Sequence, residues 1–396
     1  MLSCQRDAFS IPDDVHFLNC SYMSPFSKRV EAAGQVGLAR KRLPYLVTPD
    51  DFFSEALRAR ELFATLIGVS DPTRIAIVPS ASYGLAVVAR NTALRPGRRV
   101  VIAFEQFPSN VYAWRALCQR SGATLVTIDP PADSAGRGRD WNARLLEALT
   151  ADTALVALPH VHWTDGTRFD LEAIGARARE VGAALAIDGT QSLGALPFDQ
   201  GRIGADAVVG AAYKWLMGPY SLGFAYFGPR YDGGEPIEET WAGRLGSEDF
   251  RTLVNYQDAY QPGALRYDMG ERANLQLMPM GVAALEQILE WQPARIQAYC
   301  ATLTAPLVAE ARSLGFTVED EAYRAAHIVG LRAPAGVDLA DVATRLKANR
   351  VHVSLRGSAI RVSPHVYNDR RNVDALVDVL AEVRAGSAGG RAAVRA

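Results

Sequence analysis

The chain has 396 residues, of which 49% are hydrophobic and 21% charged, and its formal net charge at pH 7 is -1. This composition provides enough apolar material for a sizeable core and excludes a disordered chain. The near-neutral charge gives no indication of a nucleic-acid partner or an anionic membrane surface, so neither is expected. No apolar run in the sequence is long enough to cross a bilayer.

The N-terminal residues and the cysteines bear on the expected location of the protein. Residues 1–7 lack the apolar run of a signal peptide. The four cysteines (Cys4, Cys20, Cys118 and Cys300) are scattered, with no CxxC pair. We therefore expect reduced thiols, a cytoplasmic location and no metal site.

In chain order, an N-terminal segment (residues 1–27) leads into two predicted helices over residues 27–43 and 51–67. Thr48-Pro49-Asp50-Asp51 supplies the residue types of a helix N-terminus at the start of the second. Short β-rich runs then alternate with helical patterns, such as 110–120 and 171–181, up to residue 228.

The predicted strands of this middle part are 74–79, 99–104, 123–128, 153–158, 183–187, 207–210 and 222–227. Strands that alternate with helices predict βαβ units and a mostly parallel sheet, here of seven strands. Several of the strands are continuous apolar runs, which is typical of a sheet covered by helices on both faces.

The C-terminal third begins with an irregular stretch, residues 228–270, followed by predicted helices over 274–291 and 294–314. Strands near 326–331, 351–355 and 359–363 and a helix over 371–383 indicate a smaller unit. The predicted fold class is α/β, with a large domain over residues 28–273 and a small C-terminal α+β domain over 274–384. Residues 385–396 are expected to be a flexible tail.

Two residues near the ends of neighbouring predicted strands carry the strongest chemical signal. Asp188 follows an apolar strand, and Lys214 lies 26 residues later, in Ala211-Ala212-Tyr213-Lys214-Trp215 before the Gly218-Pro219 turn. A buried carboxylate needs a partner, and a lysine among apolar neighbours has a lowered pKa that favours the nucleophilic amine. These properties suit pyridoxal 5'-phosphate, held by Lys214 as a Schiff base and kept protonated on its ring nitrogen by Asp188. A helix N-cap is the alternative role for Asp188.

Further candidates follow other predicted strands, because ligands of open α/β sheets bind outside the carboxyl ends of the strands. Ala81 and Ser82 open a helix after the first strand, where backbone N–H groups and the Ser82 hydroxyl suit a phosphate. Serine at this position is also the pattern of a plain N-cap.

Aromatic and polar residues at the same expected edge complete the set of cofactor candidates. Phe107 follows the second strand and Trp163 the fourth; each is a candidate wall of a cofactor site, and a core position is the alternative for Phe107. Gln191 is a candidate for the cofactor's phenolic oxygen, and the Tyr213 hydroxyl is a candidate for its phosphate.

Taken together, these motifs resemble those of the class V aminotransferase-fold family of pyridoxal-phosphate enzymes, within fold type I. That group includes cysteine desulfurases, isopenicillin N epimerase-like proteins and kynureninases. The resemblance extends from about residue 17 to residue 383 and implies an enzyme. It gives the Schiff base to Lys214, the pyridine nitrogen to Asp188, a cofactor contact to Gln191, the phosphate to Ala81 and Ser82, and ring stacking to Phe107.

The same resemblance implies substrate contacts and a homodimer. Arg361, in Arg361-Val362-Ser363-Pro364-His365, matches the arginine that binds the substrate carboxylate, which a guanidinium holds bidentately. Two subunits build each site in the family, so the segment 268–274, which ends at Asn274, is expected near the partner's cofactor. Arg244, in Trp241-Ala242-Gly243-Arg244, and Tyr22 are further candidates for substrate contact.

The sequence also departs from particular members of the group. Residues 345–357 contain no cysteine, which disfavours the persulfide-forming reaction of cysteine desulfurases. Phe107-Pro108-Ser109 and Tyr213-Lys214 are more similar to kynureninases, yet Gln191 replaces a histidine typical of them.

The expected function is therefore an enzyme that acts on an α-amino acid through an external aldimine and a quinonoid, with Lys214 as the base at Cα. An aminotransferase-like reaction is the first expectation, and a Cβ–X lyase (C–S or kynureninase-like C–C) or an epimerase is the alternative. The intact Lys214 and Asp188 argue against a non-catalytic sensor. No GxGxxG follows the first strand, which argues against a nicotinamide-dependent enzyme.

Overall fold

The structure, a computed structural model, describes residues 2–132 and 136–393, with side chains described as far as residue 385. Its strands are β1 (His16–Phe17), β2 (Ile75–Val78), β3 (Arg99–Ala103), β4 (Thr124–Ile128), β5 (Thr153–Pro159), β6 (Ala184–Asp188), β7 (Ala207–Ala211), β8 (Gly223–Phe227), β9 (Val329–Arg332), β10 (Val351–His352), β11 (Ser354–Arg356) and β12 (Ala359–Val362). Its helices are α1 (Lys28–Arg40), α2 (Ser54–Leu66), α3 (Ala81–Arg90), α4 (Ser109–Ser121), α5 (Arg137–Ala148), α6 (Leu171–Glu180), α7 (Gln200–Ile203), α8 (Leu277–Trp291), α9 (Pro293–Ser313), α10 (Leu339–Ala348) and α11 (Arg370–Ala393).

A seven-stranded sheet forms the centre of the large domain, in the order β2-β8-β7-β6-β5-β3-β4. The strands β7, β6, β5, β3 and β4 are parallel neighbours, and β8 runs antiparallel to both β2 and β7. The predicted α/β fold with a mostly parallel seven-stranded sheet is confirmed, and each predicted strand end lies within one residue of its position in the structure.

Alternate residues of the central strands pack into separate hydrophobic layers on the two faces of the sheet. In β2, Ile75 and Ile77 belong to one layer, and Ala76 and Val78 belong to the other. Because successive side chains of a strand point to opposite faces, an apolar run is the pattern expected where helices cover both. The edge strand β4 is partly exposed along its length, as its threonines suggest.

The small domain contains a three-stranded antiparallel sheet in the order β11-β12-β9, with α11 packed against α9 and α10. The predicted strand 351–355 is divided into β10 and β11. The N-terminal segment pairs with this domain, because β1 runs parallel to β10 and the Ser363 N–H donates to the Leu18 carbonyl over 2.8 Å.

Several predicted boundaries differ from the observed ones in informative ways. Thr48 and Asp51 form the capping box, but it caps a short 3-10 turn, Pro49–Phe52, and α2 begins only at Ser54. Helix α8 packs against α1 and α2, so the predicted domain boundary at residue 273 stays a prediction. The backbone remains helical to Ala393, and the last three residues of the predicted tail lie outside the described residues.

The four cysteines are free thiols in the structure, as expected of reduced cysteines. No helix in the described ranges has both the length and the apolar character needed to span a membrane. The cytoplasmic location stays a prediction.

A buried ion network attaches the segment after residue 267 to the central sheet. The Asp268 carboxylate accepts hydrogen bonds from the Arg60 guanidinium at 2.9 and 2.6 Å and from the Ile77 backbone N–H at 2.8 Å. Arg272 approaches the same carboxylate at 3.3 Å, and all three charged side chains are almost fully buried. Buried charges cost free energy unless they are paired and hydrogen-bonded, and this set satisfies both conditions.

Replacing Asp268 by Asn should destabilise the protein by about 3–5 kcal/mol, because two buried guanidinium groups lose their carboxylate. The measurement is urea-induced unfolding of the cofactor-loaded protein. The matched control is Asp249→Asn, which removes a solvent-exposed pair with Arg251 and should leave the unfolding midpoint unchanged. Equal midpoints for the two variants would contradict a stabilising role for the buried network.

Candidate active site

Lys214 lies in the turn that follows β7 and is buried, with 6% of its surface exposed. Its ammonium nitrogen is 5.3 Å from the centre of the Phe107 ring and 5.4 Å from that of Tyr213. Within the described part of the chain it makes no hydrogen bond or ion pair. Burial lowers the pKa of Lys214 to about 8; the Asp188 charge opposes this shift, and the charges of Arg361 and Arg356 add to it. Near physiological pH roughly a fifth of the amine is therefore neutral, about a hundredfold or more above the fraction for an ordinary lysine.

Asp188 is the last residue of β6 and pairs in register with Pro159 of β5 and Val209 of β7. One carboxylate oxygen accepts a hydrogen bond from the Thr190 backbone N–H at 3.0 Å. Burial raises the pKa of Asp188, while the bonds from Thr190 and the Lys214 charge lower it. No cation pairs with Asp188 among the described residues, so the carboxylate is suited to a protonated ring nitrogen.

The N-terminus of α3 lies at the same edge of the sheet. Ser80 is the residue that caps this helix, because its hydroxyl oxygen accepts from the Tyr83 N–H at 3.2 Å. The Ser82 hydroxyl lies 2.8 Å from the Ser80 hydroxyl. Ala81 and Ser82 both line a cavity that is also lined by Lys214 and Asp188. Helix N-terminal amides and a hydroxyl are the groups that bind phosphate in proteins.

Two aromatic side chains form one wall of the cavity. Phe107 and Trp163 pack edge to face, with ring centres 5.5 Å apart and an interplanar angle of 85°. They share a cavity of about 340 Å³ with Lys214 and Asp188. This volume and the aromatic wall suit a planar cofactor ring with a phosphate at one end.

Gln191 and Tyr213 line the same cavity, and the Gln191 side chain has two hydrogen-bond partners. The Gln191 amide oxygen accepts from the Trp215 indole N–H at 2.9 Å, and its NH₂ group donates to the Ser21 carbonyl at 3.1 Å. The second N–H of the amide has no partner in the described structure. Burial raises the pKa of Tyr213 to about 12, which keeps its hydroxyl protonated as a donor.

Arg361 on β12 is a fully buried cation at the small-domain side of Trp163. Its guanidinium donates to the Trp163 carbonyl at 2.7 Å and to the Ser354 hydroxyl at 3.2 Å, and its Nε has no partner. Burial and the neighbouring Arg356 charge lower the pKa of Arg361 to about 9. No carboxylate pairs with it in the described ranges, which suits the binding of a substrate carboxylate.

Arg361 is not among the residues that line this cavity, and three other predicted site residues also lie outside it in the described chain. Arg244 forms an ion pair with Glu239 at 2.5 Å and stacks on the Tyr260 ring. The Asn274 side-chain oxygen accepts from backbone N–H groups at the start of α8, in a separate cavity. Tyr22 is 58% exposed. The expected contact of segment 268–274 with a partner subunit stays a prediction.

The sequence analysis missed other residues that line the cavity, among them Thr190, Tyr220 and Ser221. Tyr220 packs against Tyr213 with ring centres 4.7 Å apart, and Ser221 has a left-handed backbone with φ 63°. The Gly218-Pro219 turn was the available signal, since it brings the chain after Lys214 back to the cavity.

Comparison with known proteins is consistent with this geometry. Residues 50–376 match the family described as aminotransferase class-V. The uncharacterized aminotransferase YcbU of Bacillus subtilis is 28% identical over 324 residues, which cover 82% of each chain. The kynureninase of Pseudomonas fluorescens is 30% identical over 241 residues, which cover 57% of this chain and 54% of the relative.

Solved structures with similar folds include carbon–sulfur cleaving enzymes. A cysteine desulfurase from Thermococcus onnurineus NA1 matches with a TM-score of 0.83 and 19% identity, over 98% of this chain and 99% of the other. A mutant of C-DES with glycine covalently linked to its pyridoxal-phosphate cofactor matches with a TM-score of 0.83 and 18% identity, over 95% and 99% of the two chains. At these identities the likeness shows a shared fold.

The low pKa of Lys214 predicts how the protein without cofactor captures pyridoxal phosphate. The rate at which the visible band of the lysine-bound cofactor appears should rise with pH around a midpoint near 8, because only the neutral amine reacts. Asp188→Asn removes the charge that raises this pKa, so its midpoint should be lower. A midpoint close to 10.5 would show that Lys214 behaves as an ordinary exposed lysine.

Proposed function

The chain belongs to the aminotransferase class-V family of pyridoxal-phosphate enzymes, and we propose that it transfers the amino group of an α-amino acid. The observation that carries the proposal is the convergence of Lys214, Asp188 and Arg361. The unpaired Lys214 amine and Asp188 carboxylate line one aromatic-walled cavity, and the unpaired Arg361 guanidinium is hydrogen-bonded to the carbonyl of Trp163, which lines the same cavity.

The cavity residues suit the cofactor at each of its functional groups. Asp188 would hold the protonated ring nitrogen, the N-terminus of α3 with Ser82 would hold the phosphate, and Phe107 would contact the ring. When bound, the cofactor supplies an electron-withdrawing ring that stabilises negative charge developing at the substrate Cα. Asp188 favours that role, since its negative charge maintains the proton on the ring nitrogen.

Lys214 has the properties of the group that moves the proton. Its neutral amine takes the proton from the substrate Cα as a general base, and a pKa near 8 suits both accepting and returning it at physiological pH. Lys214 would both accept and return this proton, so no second acid or base would be needed. Amino-group transfer is therefore compatible with Lys214 as the sole proton carrier.

Arg361 would fix the substrate by its α-carboxylate. The guanidinium is already oriented by the Trp163 carbonyl and the Ser354 hydroxyl, so little rotamer freedom remains to be lost on binding. The Arg361 charge acts on the Lys214 amine, so a substrate held by Arg361 would lie near that amine.

A Cβ–X lyase is the second candidate, favoured by the kynureninase relatives and by two tyrosines in the cavity. The hydroxyl of Tyr213 remains protonated, which suits a group that protonates a leaving fragment. A persulfide-forming desulfurase is less well supported. Cys20 is the cysteine whose charge would act on Lys214, but burial raises its thiol pKa to about 12.

A panel of amino acids mixed with the cofactor-loaded protein distinguishes these reactions. Amino-group transfer predicts loss of the visible band with release of one equivalent of keto acid, followed by recovery of the band when a second keto acid is added. Catalytic release of a side-chain fragment with the band retained would identify a lyase and contradict our proposal. Inversion at Cα without either product would indicate an epimerase.

Arg361→Gln should lower kcat/KM for amino acids by about 100-fold, chiefly through KM, because two charge-assisted hydrogen bonds to a carboxylate are lost. The measurement is steady-state kinetics together with the dissociation constant of the cofactor, which should stay within about 2-fold. Arg345→Gln, on the surface of α10, is the matched control. An unchanged KM for Arg361→Gln would remove this residue from the substrate site.

A further inference from the structure

A second arginine stands beside Arg361 on the hairpin formed by β11 and β12. The register pairs Ser354 with Arg361 and Arg356 with Ala359. Paired residues of antiparallel strands, and residues two positions apart on one strand, project from the same face. The side chains of Arg356 and Arg361 therefore leave the hairpin on one side.

Both arginines converge on Trp163. The guanidinium carbons of Arg356 and Arg361 lie 5.4 and 5.9 Å from the centre of the indole ring. Trp163 lines the Lys214 cavity and also a neighbouring groove of about 590 Å³, in which Arg356 lies. Trp163 thus borders both the cavity that contains Lys214 and the groove that contains Arg356.

Neither of these arginines has an acidic partner among the described residues. Arg356 donates to the carbonyl of Leu355 at 2.8 Å, and its buried Nε has no hydrogen-bond partner. Two acids line the groove, but the Asp165 carboxylate is bound by Arg137 and Arg332, and Glu105 forms no ion pair with either hairpin arginine.

The charges of this arginine pair act on each other and on the reacting amine. The Arg356 charge lowers the pKa of Arg361, and both charges lower the pKa of Lys214. Like charges held close together in a partly desolvated site are unfavourable unless anions lie between or beside them. The α-carboxylate of a substrate would supply the counter-charge of Arg361. Arg356 would then remain as a second group able to bind an anion.

We infer that the substrate is an amino acid with a second carboxylate in its side chain, which Arg356 binds while Arg361 binds the α-carboxylate. This inference rests on the proposed function and adds the substrate class. Selectivity follows because a neutral side chain leaves the Arg356 guanidinium without a counter-charge.

The decisive experiment compares acidic amino acids with their uncharged isosteres: aspartate with asparagine, and glutamate with glutamine. Of aspartate and glutamate, the one with the higher kcat/KM should exceed its own amide by about 10- to 100-fold in kcat/KM with the wild-type protein. This factor is the value of one charge-assisted contact. In Arg356→Gln this ratio should fall to near one, whereas Arg356→Lys should retain part of it.

The ratio separates substrate binding from two other roles of Arg356. An effect on the Lys214 pKa alone would change the rates for an acid and its amide equally, and a folding defect would abolish the visible cofactor band. The Arg345→Gln control should keep the wild-type ratio. A wild-type ratio near one, or a ratio that survives in Arg356→Gln, would overturn the inference.

Binding of unreactive acids tests the same site without turnover. Succinate should bind the cofactor-loaded wild type more tightly than butyrate, and Arg356→Gln should lose that difference, as measured by calorimetry. If no amino acid reacts although the cofactor band is present, the proposed function fails, and succinate binding still decides the inference. Equal binding of succinate and butyrate would overturn it.

Discussion

The site depends on the common direction of the strands at the centre of the sheet. Because β5, β6 and β7 run parallel, residues far apart in sequence leave the sheet at one edge, and the register sets Asp188 directly beside Pro159 and Val209. The turn after β7 then carries Lys214 to the same edge. Helix α3 follows β2, which has the same direction because β8 is antiparallel to both β2 and β7. The arrangement follows from topology more than from any local motif.

Buried charged residues with a structural role are paired within the chain, whereas those at the candidate active site are not. Asp268 is buried, yet Arg60 and Arg272 neutralise it within the chain. Lys214 and Arg361 are buried to a similar degree, but no described acid pairs with them. A protein tolerates this cost where a ligand supplies the missing counter-charge, so unpaired buried charges are a physical criterion for a binding site.

The sequence was sufficient for the large sheet and for the two central chemical residues. Apolar runs bounded by turn residues predicted all seven strands, and Lys214 and Asp188 stood out because an acid at the end of one strand and a lysine after the next suit pyridoxal phosphate. It was insufficient where contacts are long-range. The neighbourhood of Arg356 depends on hairpin register and on Trp163, nearly two hundred residues away, and no local pattern encodes either. Resemblance likewise suggested Arg244 without indicating its pairing with Glu239.

The N-terminal segment joins the two domains at the cavity itself. Residues 16 and 17 form a strand with the small domain, whereas the Ser21 carbonyl accepts a hydrogen bond from the Gln191 side-chain amide and the Ser24 N–H donates to the Tyr213 backbone carbonyl. A rigid rotation of the small domain would displace residues 16–24 and strain both hydrogen bonds. The position of the domain that carries Arg361 is therefore coupled to the Gln191 side chain and the Tyr213 backbone, both at the cavity, through nine residues of backbone from His16 to Ser24.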